Sequence, residues 1–139
     1  MRTLSRIGVL VVLVAVATHG LAADTSQAAA EAAAQKWLDL IDGGNYSQSW
    51  STAAKLFRDS VAEAQWDSKI SAVRGPLGAV KSRSITSAQF THSLPGVPDG
   101  DYVVIRYATS FEHKSEAAET VTPMKDTDGQ WRVSGYFIR

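Results

Sequence analysis

An α+β domain is predicted, with N-terminal helices packed on a curved four-stranded antiparallel meander, and three observations predict it. Apolar residues recur at helical spacing through the first half of the chain. From about residue 79 they alternate instead, in runs rich in β-branched and aromatic side chains separated by short turns. Folded as successive hairpins, those runs place one consistent set of residues on one face.

The 139-residue chain opens with a targeting pattern. Arg2 and Arg6 precede an apolar run over residues 7–17, then comes Gly20-Leu21-Ala22-Ala23, a small-residue cleavage site. The apolar run is well short of the roughly 20 residues that span a bilayer. The expectation is a signal peptide over residues 1–23, cleaved near Ala22 or Ala23, and a single α+β domain over residues 24–139. That predicts a periplasmic or secreted protein with no membrane association after cleavage. There is no cysteine, so neither a thioether lipid anchor nor a disulfide is available. Without the leader the charge is near balance, 12 basic against 14 acidic side chains. This argues against nucleic-acid binding driven by bulk charge.

Residues 24–41 start with capping chemistry, Asp24-Thr25-Ser26, and continue in an alanine-rich run of high helix propensity. Ala30, Ala33, Ala34, Trp37, Leu38 and Ile41 form its apolar stripe, and Gly43-Gly44 stops it. Asn45 is placed to cap a second helix with the stripe Tyr46, Trp50, Ala53 or Ala54, and Phe57. Ser60-Val61-Ala62-Glu63 reads as a capping box for a third, whose buried face is Ala62, Trp66, Ile70 and Val73. Gly75-Pro76 ends it.

The strands follow. Residues 79–94 form the first, with an irregularity near Ser84-Ile85, where the apolar parity switches and a bulge is expected. Residues 95–100 are a turn by composition. Residues 102–113 are the longest strand-like run, followed by a turn at Lys114-Ser115, a strand over 116–126, a turn at Thr127-Asp128 and a last strand over 130–139. Pairing His113 with Glu116 sets Tyr107 opposite Thr122 and Ile105 opposite Met124. Pairing Asp126 with Gly129 sets Thr122 opposite Val133 and Ala118 opposite Phe137. The predicted inward face thus carries Phe90, Val103, Ile105, Tyr107, Phe111, Thr122 and Val133, with no carboxylate. Glu119, Val121 and Tyr136 fall on the outward face, a mixed surface that is free to pair with a second copy as a homodimer.

The order of elements resembles the nuclear-transport-factor-2-like and cystatin-like superfold. More narrowly, the chain resembles the bacterial family known as domain of unknown function 4019. The residues carrying that likeness are Trp37, Asp42-Gly43-Gly44-Asn45-Tyr46, Trp50, Phe57, Trp66, Arg74-Gly-Pro-Leu-Gly78, Ser82-Arg83 and Trp131-Arg-Val-Ser-Gly-Tyr-Phe-Ile138. The resemblance implies a small exported protein with no assigned activity. The superfold hosts enzymes, ligand binders and dimerisation modules alike, so it does not choose among them.

No metal or cofactor is expected. His92 and His113 are the histidines left after the leader, and they lie about ten residues apart along a hairpin, roughly 34 Å. Asp126-Thr127-Asp128-Gly129 lacks the later ligands of a calcium loop and is first a hairpin turn. Arg74 and Arg83, flanking Gly75-Pro76-Leu77-Gly78, are candidates for capturing a carboxylate or phosphate. Against this stands a plainer role, with Arg74 capping its helix's carbonyl end and Arg83 paired to a carboxylate on the next strand. Three of the four tryptophans lie on helical core stripes. A pocket between helices and sheet would be lined by Tyr46, Trp50, Trp66, Tyr107 and His92, with His92 its one titratable group of useful pKa. The reading that follows is an exported binding or interaction module with a small-molecule or protein partner. The alternative is a small cofactor-independent lyase, isomerase or hydrolase, weakened by the missing inward carboxylate.

Overall fold

The computed structural model describes residues 19–139. The run read as the charged and apolar part of a leader lies outside the described residues. Four helices, α1 (His19–Asp42), α2 (Tyr46–Ser51), α3 (Lys55–Ser60) and α4 (Glu63–Arg74), precede a 3-10 turn over Gly75–Leu77. Then come β1 (Val80–Thr91), β2 (Tyr102–Phe111), β3 (Lys114–Lys125) and β4 (Trp131–Ile138), paired in that order as an open antiparallel meander. This is the predicted α+β architecture: α1 lies across all four strands, α4 packs on α2, and α3 packs on β4.

The helical layer follows from its apolar stripes. Ala30, Ala34, Trp37, Leu38 and Ile41 of α1 are buried, and the small residues let the helix approach the sheet closely. The second predicted helix is broken in two. Ala53 and Ala54 between α2 and α3 are fully buried, and the Ala54 N–H donates to the Val133 carbonyl of β4 at 2.8 Å. A backbone bond to the sheet replaces a helical one there, which no local propensity signals. The capping box also fails to form. Ser60 ends α3 by donating to the Leu56 carbonyl, Ala62 occupies the cap of α4, and Glu63 accepts from Ser47 instead.

Bulges shape the sheet. The irregularity expected in β1 lies between Ile85 and Ser87. The β2–β3 turn, however, is at Glu112-His113 rather than Lys114-Ser115, with Phe111 opposite Lys114. Its amides are tied to a distant segment: Glu112 N–H donates to the Ala79 carbonyl at 2.8 Å and His113 N–H to the Leu77 carbonyl at 2.9 Å. Tyr107 therefore pairs with Glu119 and Ile105 with Val121, where the expected partners were Thr122 and Met124. That slip is an odd number of residues, so it exchanges the two faces of β3. Glu119, Val121 and Pro123 are buried, while Thr122 is only half-buried. Pro123, which cannot donate to a ladder, sits at the β3–β4 bulge. Ser134 is the extra residue there, and beyond it Tyr136 packs against the core while Phe137 is 50% exposed. In the first hairpin Phe90 stands opposite Val103. The floor of the core is nonetheless apolar, with Val103, Ile105, Tyr107, Val121 and Val133 beneath Trp37, Phe57 and Trp66.

Candidate functional site

Two places in this frame concentrate polar chemistry. The first is a buried ionic network where the C-terminal ends of α1 and α4 meet the sheet. Glu119, fully buried, accepts from Arg83 Nε at 2.8 Å and Nη2 at 3.3 Å, from Thr109 Oγ1 at 2.5 Å, and from the Tyr136 hydroxyl. Arg83 reaches the other way to Asp42, donating from Nη1 at 2.7 Å and Nη2 at 3.0 Å. Arg74 Nη2 donates to the same Asp42 at 2.9 Å, and its guanidinium lies 4.8 Å from the centroid of the Phe111 ring. Two guanidiniums thus face two carboxylates, and the charges cancel.

The network sets the ionisation of its members. Burial alone would raise Asp42, but the hydrogen bonds and charge of Arg83, then of Arg74, outweigh it and hold the carboxyl below its usual range. Burial opposes the charge on Arg83, yet bonding to Asp42 and Glu119 raises it further. Tyr107 is pushed up to about 12, by burial first, with Arg83 opposing and Glu31 and Glu119 adding. Tyr136 is raised by burial and by the Glu119 charge. Both oxygens of Glu119 face donors of the protein, so it works as a node that ties β1, β2 and β4 to β3, with α1 and α4 joined to it through Arg83 and Asp42.

The second place is a cleft of 710 Å³ between α1 and the β3–β4 corner. Small residues of α1, Ala29, Ala32 and Ala33, form one wall; Gln130 and Trp131 form the other. Lys36 and Gln48 line it as well. The indole N–H groups of Trp37, Trp50 and Trp66 are all spent inside the protein, on Ser49 O at 2.8 Å, Val61 O at 2.8 Å and Ser49 Oγ at 2.9 Å. Trp131 is different. It is half-buried, and among the described residues its N–H has no acceptor; the side chains of Lys36, Gln48 and Gln130 are likewise uncommitted.

A family model described as "Protein of unknown function (DUF4019)" matches residues 33–136. The chain belongs to this family. No curated protein matches the chain. The span of the family match takes in the whole ionic network, and Lys36, Gln48, Gln130 and Trp131 of the cleft.

Within that span the site residues expected from the sequence are dispersed. Arg74 and Arg83 do meet, on Asp42; Arg74 reaches across to α1 instead of capping the carbonyl end of its own helix, and Arg83 finds its strand carboxylate in Glu119. Arg83 pairs with β3 rather than with the next strand. Tyr107 is buried within electrostatic reach of Arg83 and Glu119, whereas Trp66 belongs to a ring cluster with Trp37 and Phe57, centroids 5.8 and 4.9 Å away. Trp50 and Tyr46 are half-buried on the outside of that cluster. His92 stands apart at the end of β1, exposed and hydrogen-bonded to Asp101 at 2.9 Å. The inward face, expected to lack a carboxylate, holds Glu119. Asp42, Thr109, Glu119 and Tyr136 went unrecognised as partners: the register of β3 and the β3–β4 bulge hide Glu119 and Tyr136, and Asp42 comes to Arg83 only through the docking of α1 on the sheet. Trp131 had a signal: it alone among the tryptophans lies off the helical stripes.

Proposed function

We propose that this is an exported binding module whose ligand seat is the cleft between α1 and the β3–β4 corner. The observation that carries the reading is Trp131, a half-buried ring with an unspent N–H in a 710 Å³ cleft beside uncommitted amides and Lys36. The space between helices and sheet that an enzyme would use is occupied by Trp37, Phe57, Trp66 and Tyr136, ring against ring at 4.9–6.5 Å. Glu119 lies behind them with its oxygens engaged by Arg83, Thr109 and Tyr136, which favours binding over acid–base chemistry. Arg2, Arg6 and the apolar run before Ala22-Ala23 support export, and cleavage there leaves intact the part of α1 that walls the cleft. Among the described residues no helix is long and apolar enough to cross a membrane.

The test is a thermal-shift screen of small molecules against the wild type and Trp131→Ala. A compound that stabilises the first and not the second supports the seat; equal shifts for every hit would move it elsewhere. A second copy is the partner we propose at the free β4 edge, where Phe137 and Val73 are 50% and 43% exposed beside an apolar groove of 220 Å³. Light scattering on a sizing column checks this, and a monomer at high micromolar concentration counts against it.

A further inference from the structure

We propose that the ligand of this cleft is an acidic saccharide, a sugar ring bearing a carboxylate. The inference rests on the cleft being the binding seat and adds the class of ligand. Four features select it. Trp131 offers a flat apolar face and an N–H donor in one half-buried side chain, which suits a ring with C–H bonds on its face and hydroxyls on its rim. Gln48 and Gln130 each bring an amide able to donate and accept, as hydroxyl groups require. Among the described residues the uncommitted cation lining the cleft is Lys36, a point charge matched to one carboxylate. Arg132, the other cation at the wall, is spent on Asp128 at 2.7 Å through both terminal nitrogens and on Asp126 at 3.3 Å.

Competing ligands fit less well. A phosphate or nucleotide is best held by a free guanidinium fork, and the forks of Arg83 and Arg132 are closed by carboxylates. An anionic membrane surface attracts clusters of several cations, and among the described residues this cleft has one free lysine. An acidic peptide would satisfy Lys36 and pair its backbone with the two amides, but a run of carboxylate side chains brings no C–H ring face to Trp131.

Tryptophan fluorescence titration of the purified protein decides the matter with three probes: oligogalacturonate, its neutral methyl ester, and oligoglutamate of equal charge. Oligogalacturonate is expected to bind, the ester roughly fivefold more weakly, as one exposed ion pair allows, and oligoglutamate not at all. Lys36→Gln should bring the acid down to the affinity of the ester while leaving the ester unchanged. Trp131→Ala should weaken both sugars by about tenfold or more. Gln130→Ala, an exposed change, serves as the second variant should Trp131→Ala not fold, and should weaken both sugars as well. Equal binding of acid and ester, or binding of oligoglutamate as tight as the sugar, overturns the inference. So does the failure of both sugars to bind, and then a screening hit lost in Trp131→Ala would keep the cleft while removing the ligand class. Sugar binding unaffected by both Trp131→Ala and Gln130→Ala would remove the cleft itself.

Discussion

Glu119 shows how much one side chain can decide. It is buried without exposure, yet it accepts four hydrogen bonds from Arg83, Thr109 and Tyr136. Removing it takes one of two carboxylates from a guanidinium that is only 9% exposed, leaving its Nε without an acceptor, and strands two hydroxyls. Glu119→Ala should therefore cost about 3–5 kcal/mol, the scale of breaking a buried pair from one side. Glu119→Gln keeps an acceptor and the shape, so it should cost less; urea unfolding measures both. The tryptophans give a second comparison. Trp66 is buried, touches two aromatic rings and donates to Ser49, so Trp66→Ala should cost about 3–5 kcal/mol. Trp131 is half-buried with a free N–H, so Trp131→Ala should cost only ~1 kcal/mol. Similar losses at the two positions would mean that Trp131 is a core residue and not a ligand platform.

Between helices and strands, the segment joining α4 to β1 sets the register of the distant β2–β3 hairpin. Gly78 is where they touch. Its φ is +74°, and a Cβ built on it would lie 2.9 Å from Glu112 Cβ and 3.0 Å from His113 Cδ2. Gly96, with a φ of +78°, has nothing within 4 Å of the same added atom. Both positions disfavour a side chain, and Gly78, whose ψ is −159°, does so through a backbone region nearly reserved for glycine as well as through crowding. Gly96→Ala should cost about 1–2 kcal/mol for its left-handed conformation alone. Gly78→Ala should cost more, because Glu112 and His113 must move and the amide bonds to Ala79 and Leu77 loosen. Chemical denaturation gives the difference, and amide exchange at Glu112 and His113 should quicken in Gly78→Ala alone. Equal costs would show that the hairpin does not lean on this glycine. The same contact explains what was legible beforehand. Helical stripes and strand runs are local, so the layers and the meander could be read from residue order. The turn at Glu112-His113 is held by bonds to Leu77 and Ala79, some 33 to 36 positions back, and no alternation within β2 or β3 reports that. From one displaced turn came the exchanged faces of β3 and the hidden network around Glu119. The pairing of Arg83 with a strand carboxylate was legible as chemistry but not as geometry. In the cleft, Trp131 was visible as the odd tryptophan, while Lys36 and Gln48 come to it only through the docking of α1 on β4 and of α2 on α1.

For the molecule as a whole, the buried charges and phenols predict how stability follows pH. Asp42 has a folded pKa below its ordinary 3.8, because Arg83 and Arg74 outweigh its burial. A depressed carboxyl contributes stability that is present above the unfolded value and is lost as pH falls through the folded one. Asp128, held at about 2 by Arg132, acts in the same direction, though in full contact with solvent. The urea midpoint should therefore fall as pH drops below about 4. At the other end, Tyr107 has its pKa raised from 10.0 to about 12, chiefly by burial, and Tyr136 is raised too. A raised phenol contributes stability that is fully present below the unfolded value. The unfolded chain begins to lose its protons near pH 10 while the folded one keeps them, so stability declines until the folded pKa is passed. A plateau between about pH 5 and pH 9 is expected, with a falling limb on each side. Asp42→Asn should make the acid limb shallower, Asp126 and Asp128 keeping part of it, and leave the alkaline one alone; Tyr107→Phe should make the alkaline limb shallower, Tyr136 keeping the rest. Urea midpoints for the three proteins from pH 2.5 to 11.5 provide the measurement. An acid limb as steep in Asp42→Asn as in the wild type would mean that the pairing of α1 with Arg74 and Arg83 contributes nothing that protonation can remove, and the network would then be a consequence of the fold rather than one of its supports.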